Sequence, residues 1–209
     1  MINRRVSIGD LVRLAALAAV VPNEWRFASR PRFAGDDRRR DEFRTHFSPL
    51  CMRLEDYRLR YSQYKSDEHL RAAHAARPWV VTWDDHEVSN NYAGLIAQDT
   101  TLTTDMMRAR RAAAYRAWWE HQPVRLPASG DWSNLSITRT ISWGSLAQFW
   151  VMDTRQFRSD QACGDGTKEL PCGEWADPSR TMMGARQEKW MLDGISASRA
   201  CAGTCSRTR

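Results

Sequence analysis

The stretch 77–93, RPWVVTWDDHEVSNNYA, sets the tightest limit on what this chain can fold into. Trp79, Val80, Val81, Thr82 and Trp83 form a short run rich in β-branched and aromatic residues, the pattern of a buried strand. Asp84, Asp85, His86 and Glu87 follow at once, and Asn90 and Asn91 come just after. A strand that ends in such a cluster delivers it to the rim of a sheet, where α/β proteins bind ligands. Neighbouring strand residues face opposite ways, so Asp84 and Asp85 converge only if the backbone turns there. Convergent carboxylate, amide and imidazole groups suit a metal ion. The competing reading is a turn or helix cap built from the same short polar side chains. Metal or proton donors at every position from 84 to 87 favour a site.

Helical spacing surrounds this stretch. Leu54, Tyr57, Tyr61 and Tyr64 recur every three or four residues, so one face packs. Asp67 is placed to cap a second helix, 68–76, before Pro78 stops it. His69 and His74 on that helix read as surface or packing residues. Asp105 opens a long helix to about His121, with Met106, Met107, Ala113, Ala117 and Trp118 as packing residues. Arg108, Arg110 and Arg111 read as its solvated basic face. Residues 135–143 alternate apolar and polar and pair as a hairpin, through Gly144 and Ser145, with 146–152. The second strand runs into Asp153-Thr154-Arg155-Gln156-Phe157-Arg158. Arg155 there either clamps phosphate oxygens or forms an Asp–Arg pair that buttresses the neighbouring loop. A last helix spans 184 to about 199, with Trp190, Met191 and Ile195 on one face.

At 209 residues the chain suits one domain with a sizeable core. Mean hydropathy of −0.62 with 27% charged residues excludes a membrane-embedded protein. The net charge of +6 raises the question of nucleic acid. Much of the basic excess, however, sits in the first 60 residues, a common finding in exported proteins, and nucleic-acid binding is not expected. Residues 1–22 carry Arg4-Arg5 and then an apolar run from Leu11 to Val21, the plan of a degenerate export signal. Arg13 interrupts that run and no Ala-x-Ala cleavage site follows. An amphipathic helix with Leu11, Leu14, Leu17 and Ala18 on one face is the alternative. The run is too short to span a bilayer. The Arg- and Asp-rich remainder to residue 50 reads as an atypical, poorly ordered segment. Its Gly35-Asp36-Asp37 follows no apolar strand and is not a metal motif.

WDDHEVSNNYA resembles the central signature of the PhoD-like alkaline phosphatase/phosphodiesterases, within the calcineurin-like metallophosphoesterase superfamily. LEDYRLRYSQYKSDEHLRAAHAARPWVVTWDDHE (54–87), RARRAAAYRAWWEHQPVR (108–125), FWVMDTRQFRSDQACGDG (149–166) and DPSRTMMGARQEKWMLDGISASRA (177–200) match the family in order. The resemblance implies an α/β fold, a metallophosphoesterase-type β-sandwich flanked by helices. It implies metal-dependent hydrolysis of phosphate monoesters and diesters, with calcium and iron as the ions. Asp85, Asp84 and Asn91 become metal ligands. His86 becomes proton donor or phosphate contact, and Arg155 is placed close to the phosphate. Glu87, Asn90, Asp153 and His121 become the residues around them, His121 through its place in an EHxP-type motif.

Early motifs resembling FGSC and GDxIYE are not found, nor are the late histidine motifs. The sandwich is therefore expected to be incomplete, with 51–200 a partial phosphatase domain whose hydrolysis is impaired for want of ligand strands. Cys163 and Cys172, nine positions apart in a Gly/Pro-containing loop, read as a disulfide in an exported protein. The resemblance supports that pairing and a periplasmic or secreted location. A zinc site would need further ligands nearby. Residues 201–209, CAGTCSRTR, depart from the family's apolar RWNVLA-like strand. If Cys201 to Arg207 is taken as encoded by TGC GCT GGA ACG TGC TCG CGC, an assumed codon choice, dropping the first two bases gives RWNVLA, so the tail is expected to be a frameshift product.

Overall fold

The computed structural model describes residues 46–165 and 172–197. The export segment, the rest of 1–45, and the tail with its Cys201 and Cys205 lie outside the described residues.

Helix α1, Leu54–Lys65, starts where Asp56 accepts the backbone N–H groups of Met52 and Arg53, satisfying donors that the first turn leaves open. Helix α2, Glu68–Ala76, is capped by Asp67, which accepts from the N–H groups of His69 and Leu70. It ends at Arg77, as the following Pro78 requires. Helix α3, Thr104–His121, is capped by the Thr103 hydroxyl. Strands β1, Arg139–Trp143, and β2, Ala147–Val151, form an antiparallel hairpin with Arg139 opposite Val151 and Trp143 opposite Ala147. Gly144 takes φ 55° in the turn, a left-handed conformation that glycine adopts without steric cost. Helix α4, Ala185–Ala197, closes the order. Short 3₁₀ turns lie at Trp132–Asn134 and Gly173–Ala176.

The core forms where α1 and the 83–93 loop meet the inner face of α3. Met107, Ala114, Tyr115, Ala117 and Trp118 of α3 are buried, at spacings that keep them on one side. The Trp83 ring stacks on Tyr115 at 3.9 Å and meets the edge of Trp118 at 5.0 Å. The Tyr92 and Tyr115 hydroxyls are 2.8 Å apart, so two buried polar tips satisfy each other. Tyr57 of α1 donates to the Val88 carbonyl at 2.6 Å, pinning the signature loop to the helix layer.

Several expectations are corrected. Residues 79–83 belong to no helix or strand, and Trp79 and Val80 are exposed while Trp83 is buried. Two hydrogen bonds tie this run to the hairpin and the residue after it. Arg139 donates to the Val81 carbonyl at 2.8 Å, and the Thr82 hydroxyl donates to the Met152 carbonyl at 2.9 Å. Among the described residues the sheet is a single two-stranded ribbon, and helices with this small antiparallel sheet make up the fold there. Residues 135–138 are not strand, although Leu135 and Ile137 are buried. Arg110 and Arg111 are buried, not solvated. Arg110 donates to the Tyr57 and Ser89 hydroxyls, and Arg111 to the Gly94 carbonyl and Asn134. Met106, by contrast, is exposed.

Candidate functional site

The backbone turns immediately after Asp84. The N–H groups of Val88 and Ser89 donate to the Asp85 carbonyl at 2.9 and 2.8 Å, winding one helical turn from 85 to 89. Asn91 then sits at φ 52°, a left-handed position that asparagine tolerates better than most side chains. That conformation aims its N–H at Asp85 Oδ2, 2.8 Å away. Glu87 reaches back to accept the Asp84 N–H at 2.8 Å. Burial pushes the Glu87 carboxyl above its usual range, and the charges of Asp84 and Asp85 push the same way. Asp85 is buried, whereas His86 stands partly in solvent with Nε2 3.7 Å from Asp85 Oδ2.

A second loop approaches from the end of β2. Asp153, almost wholly buried, accepts the N–H groups of Arg155 and Gln156, each at 2.9 Å, and so shapes the turn. Gln187 of α4 accepts from the Asp153 N–H and donates to its carbonyl at 2.7 Å, anchoring that turn. The turn presents Arg155 to the signature loop. Arg155 Nε and Nη2 lie 2.7 and 2.6 Å from Asp84 Oδ1, and Nη2 lies 3.4 Å from Asp85 Oδ1. The Arg155 carbonyl accepts the Gly94 N–H at 2.8 Å. The Arg155 guanidinium thus lies on both carboxylates of the acid pair.

The cluster extends beyond the residues that the sequence singles out. Asn90 donates to the Gln98 side-chain carbonyl, and Gln98 donates to the Asp165 carbonyl at 3.3 Å. Burial and then Asp160 push the Asp165 carboxyl above its usual range, and its Oδ1 is buried without a hydrogen-bond partner. Arg158 lies close enough to feel the charges of Arg155, Asp84, Asp85 and Asp160. Arg158, Asp160 and Asp165 were missed by sequence reasoning. The usable signal was their place on the segment that already carried Arg155 and Cys163. Cys163 and Cys172 are disulfide-bonded, with Cα atoms 5.9 Å apart. His121 Nδ1 lies 2.8 Å from the Ala117 carbonyl, and its ring stacks on Tyr61 at 5.0 Å.

Asp84, Asp85 and Asn91 do not make a metal cage by themselves. Among the described residues no three His, Cys, Asp or Glu side chains are grouped to hold an ion. Both carboxylates of the acid pair already face Arg155, and Asp85 Oδ2 is occupied by the Asn91 N–H. No helix among the described residues is long and apolar enough to cross a membrane.

The chain belongs to the PhoD-like phosphatase family, whose model matches residues 30–201. Over 157 residues it is 47% identical to alkaline phosphatase D of Bacillus subtilis (strain 168), a match that covers 75% of this chain and 27% of that protein. A solved structure described as "Structure of PhoD" matches with a TM-score of 0.71 at 47% identity, over 75% of this chain and 30% of the other. The chain thus spans about a quarter of the length of the curated relative.

Proposed function

We propose that this chain carries one wall of the active site of a metal-dependent phosphoester hydrolase acting on phosphate monoesters and diesters. The observation that carries this reading is the meeting of two family stretches, 84–91 and 153–158, through Arg155 and the Asp84–Asp85 pair. In this reading His86, half in solvent beside the buried Asp85, delivers the proton to the departing alcohol oxygen. Arg155 positions Asp84 and Asp85. Asp153 positions Arg155, and Asn91 and Glu87 hold the turn that presents the acid pair. Calcium and iron remain the ions expected from the family. Asp84, Asp85 and Asn91 would form only one face of their site, and the other ligands lie beyond the described residues. Hydrolysis by this chain alone is therefore impaired. A periplasmic or secreted location belongs to the same reading, supported by the Cys163–Cys172 disulfide. Residues 51–200 are the partial catalytic domain.

The test is release of nitrophenol from a chromogenic diester and monoester, with and without added calcium and iron. Slow, metal-stimulated release that Asp85→Asn abolishes is expected. Release indifferent to metal and to Asp85→Asn would overturn the proposal. The absence of a three-ligand group among the described residues favours a second reading, a catalytically inactive fragment. No release under any metal condition would establish it.

A further inference from the structure

A cleft of about 450 Å³ opens where α1, α2 and α3 come together, and no residue of its wall belongs to the 84–91 or 153–158 stretches. Lys65, at the end of α1, and Arg71 of α2 both line it. Neither is ion-paired among the described residues. Lys65 Nζ lies 3.4 Å from His74 Nε2 and 3.4 Å from Gln122 Oε1, two long contacts. Burial, and then the charge of Lys65, hold the His74 imidazole below its usual range, so at neutral pH it is an acceptor and not a second cation. An ammonium has three N–H donors, so one of Lys65's is left over. Burial pushes the Lys65 ammonium below its usual range, the mark of a charge without a counter-charge. The carboxylate on the wall, Glu120, is already taken. Arg58 donates to its two oxygens at 2.7 and 2.6 Å, and Arg116 donates to one of them at 3.0 Å. Helices α1 and α3 end at this cleft, and each C-terminus adds about half a negative charge. Two unpaired unit cations outweigh them. Leu70 and Pro123 give the same wall an apolar part.

We infer that this cleft binds a phosphate group, with its oxygens shared between Lys65 Nζ and the Arg71 guanidinium. The group is free phosphate or the phosphate end of a small organic monoester, since both present the same dianion. The inference does not rest on the hydrolase reading, and neither Lys65 nor Arg71 has a part in that reaction.

Calorimetric titration of the purified full chain tests this at about 0.15 M ionic strength, where screening suppresses loose association. A chelator is present, so that metal-dependent hydrolysis cannot consume a monoester. Inorganic phosphate should bind saturably. Lys65→Gln and Arg71→Gln should each weaken it about tenfold, the loss of one charge-assisted hydrogen bond. Arg186→Gln, on the exposed surface of α4, should leave it unchanged. Should Lys65→Gln melt early, Arg71→Gln decides alone, because the Arg71 side chain bonds no described residue. In proton NMR, phosphate should move the ring signals of His74 and His121, which line the cleft, and leave those of His69, 82% exposed, in place. Glycerol 3-phosphate separates the two sources: tighter binding than phosphate points to a monoester, weaker binding to the free ion. No saturable binding, indifference to Arg71→Gln, an equal loss in Arg186→Gln, or unmoved His74 and His121 signals would overturn the inference.

Discussion

Asp153 does more for the candidate site than its distance along the chain from Asp84 suggests. It is 1% exposed, and its two oxygens accept from the Arg155 N–H, the Gln156 N–H and the Gln156 side chain. Replacing it with alanine strands several buried donors at once. We expect Asp153→Ala to cost about 2–4 kcal/mol, since a buried group left unpaired costs about 1–3 kcal/mol. Urea denaturation checks this, and a loss below about 1 kcal/mol would show that the turn finds other acceptors. Arg155→Lys probes the next link. Lysine cannot place two nitrogens on Asp84 in the planar geometry of a guanidinium. Faster hydrogen exchange at the Asn91 N–H, which donates to Asp85, is the expected sign that the acid turn has loosened. Unchanged protection would mean that the turn holds its shape without Arg155.

At the scale of helices and strands, the contact of α1 with α3 and of β2 with α4 can each be tested. Arg58 of α1 and Arg116 of α3 both bond Glu120, and the Arg58 bond, ahead of Arg116, holds the Glu120 carboxyl below its ordinary 4.5. A carboxyl whose folded pKa is depressed stabilises the fold above its unfolded value. That contribution is lost as pH falls through the folded value. Thermal melts should therefore fall more steeply below about pH 4.5 in wild type than in Glu120→Gln. The difference should be small, because these side chains meet solvent. Parallel curves would rule the contribution out. On the other side, a Cβ at Gly194 of α4 would come within 2.5 Å of Trp150 Nε1 and 3.2 Å of its Cε2. Helix propensity alone would favour alanine by about 1 kcal/mol, yet overpacking costs about 1–3 kcal/mol. Gly194→Ala should lower the melting temperature, while Gly130→Ala, with nothing within 4 Å, should not. A rise at Gly194 would mean that the indole yields freely.

These elements also show what could be read from the residues alone. Local signals were sufficient for α1, α2 and α3, for the hairpin and its glycine turn, and for the disulfide, because caps, spacing and turn chemistry lie within a few residues. Non-local pairing was not legible. Arg110 and Arg111 look like a solvated face until Tyr57, Ser89, Gly94 and Asn134 arrive from elsewhere to receive them. The 79–83 run reads as strand because its composition fits one. Composition cannot say whether a partner strand lies beside it. In the site, the signature residues stood out by density, whereas Arg158 and Asp165 join them only through the fold.

For the molecule as a whole, apolar side chains at the surface set the behaviour in solution. Phe47, Trp79, Val80, Trp143, Leu146, Trp175 and Leu192 are all exposed by two-fifths or more. Trp79 and Val80 belong to no helix or strand. Surfaces of that kind associate with one another. Sedimentation velocity should show self-association that grows with concentration, and Trp79→Lys together with Val80→Thr should reduce it. A monodisperse monomer at high concentration would contradict this.

Gly94 ties three parts of the molecule together at one residue. Its N–H meets the Arg155 carbonyl, its carbonyl takes the Arg111 guanidinium, and its φ of 60° suits glycine. Such a knot shapes inheritance. Only Arg111 enters this knot through its side chain, so a lineage that alters it leaves the Gly94 carbonyl to find another donor, whereas any residue at 155 still offers its backbone carbonyl. Across relatives a glycine at 94 and an arginine at 111 should therefore be kept together, and transplanting the acid turn into another scaffold should succeed only when Arg111 travels with it.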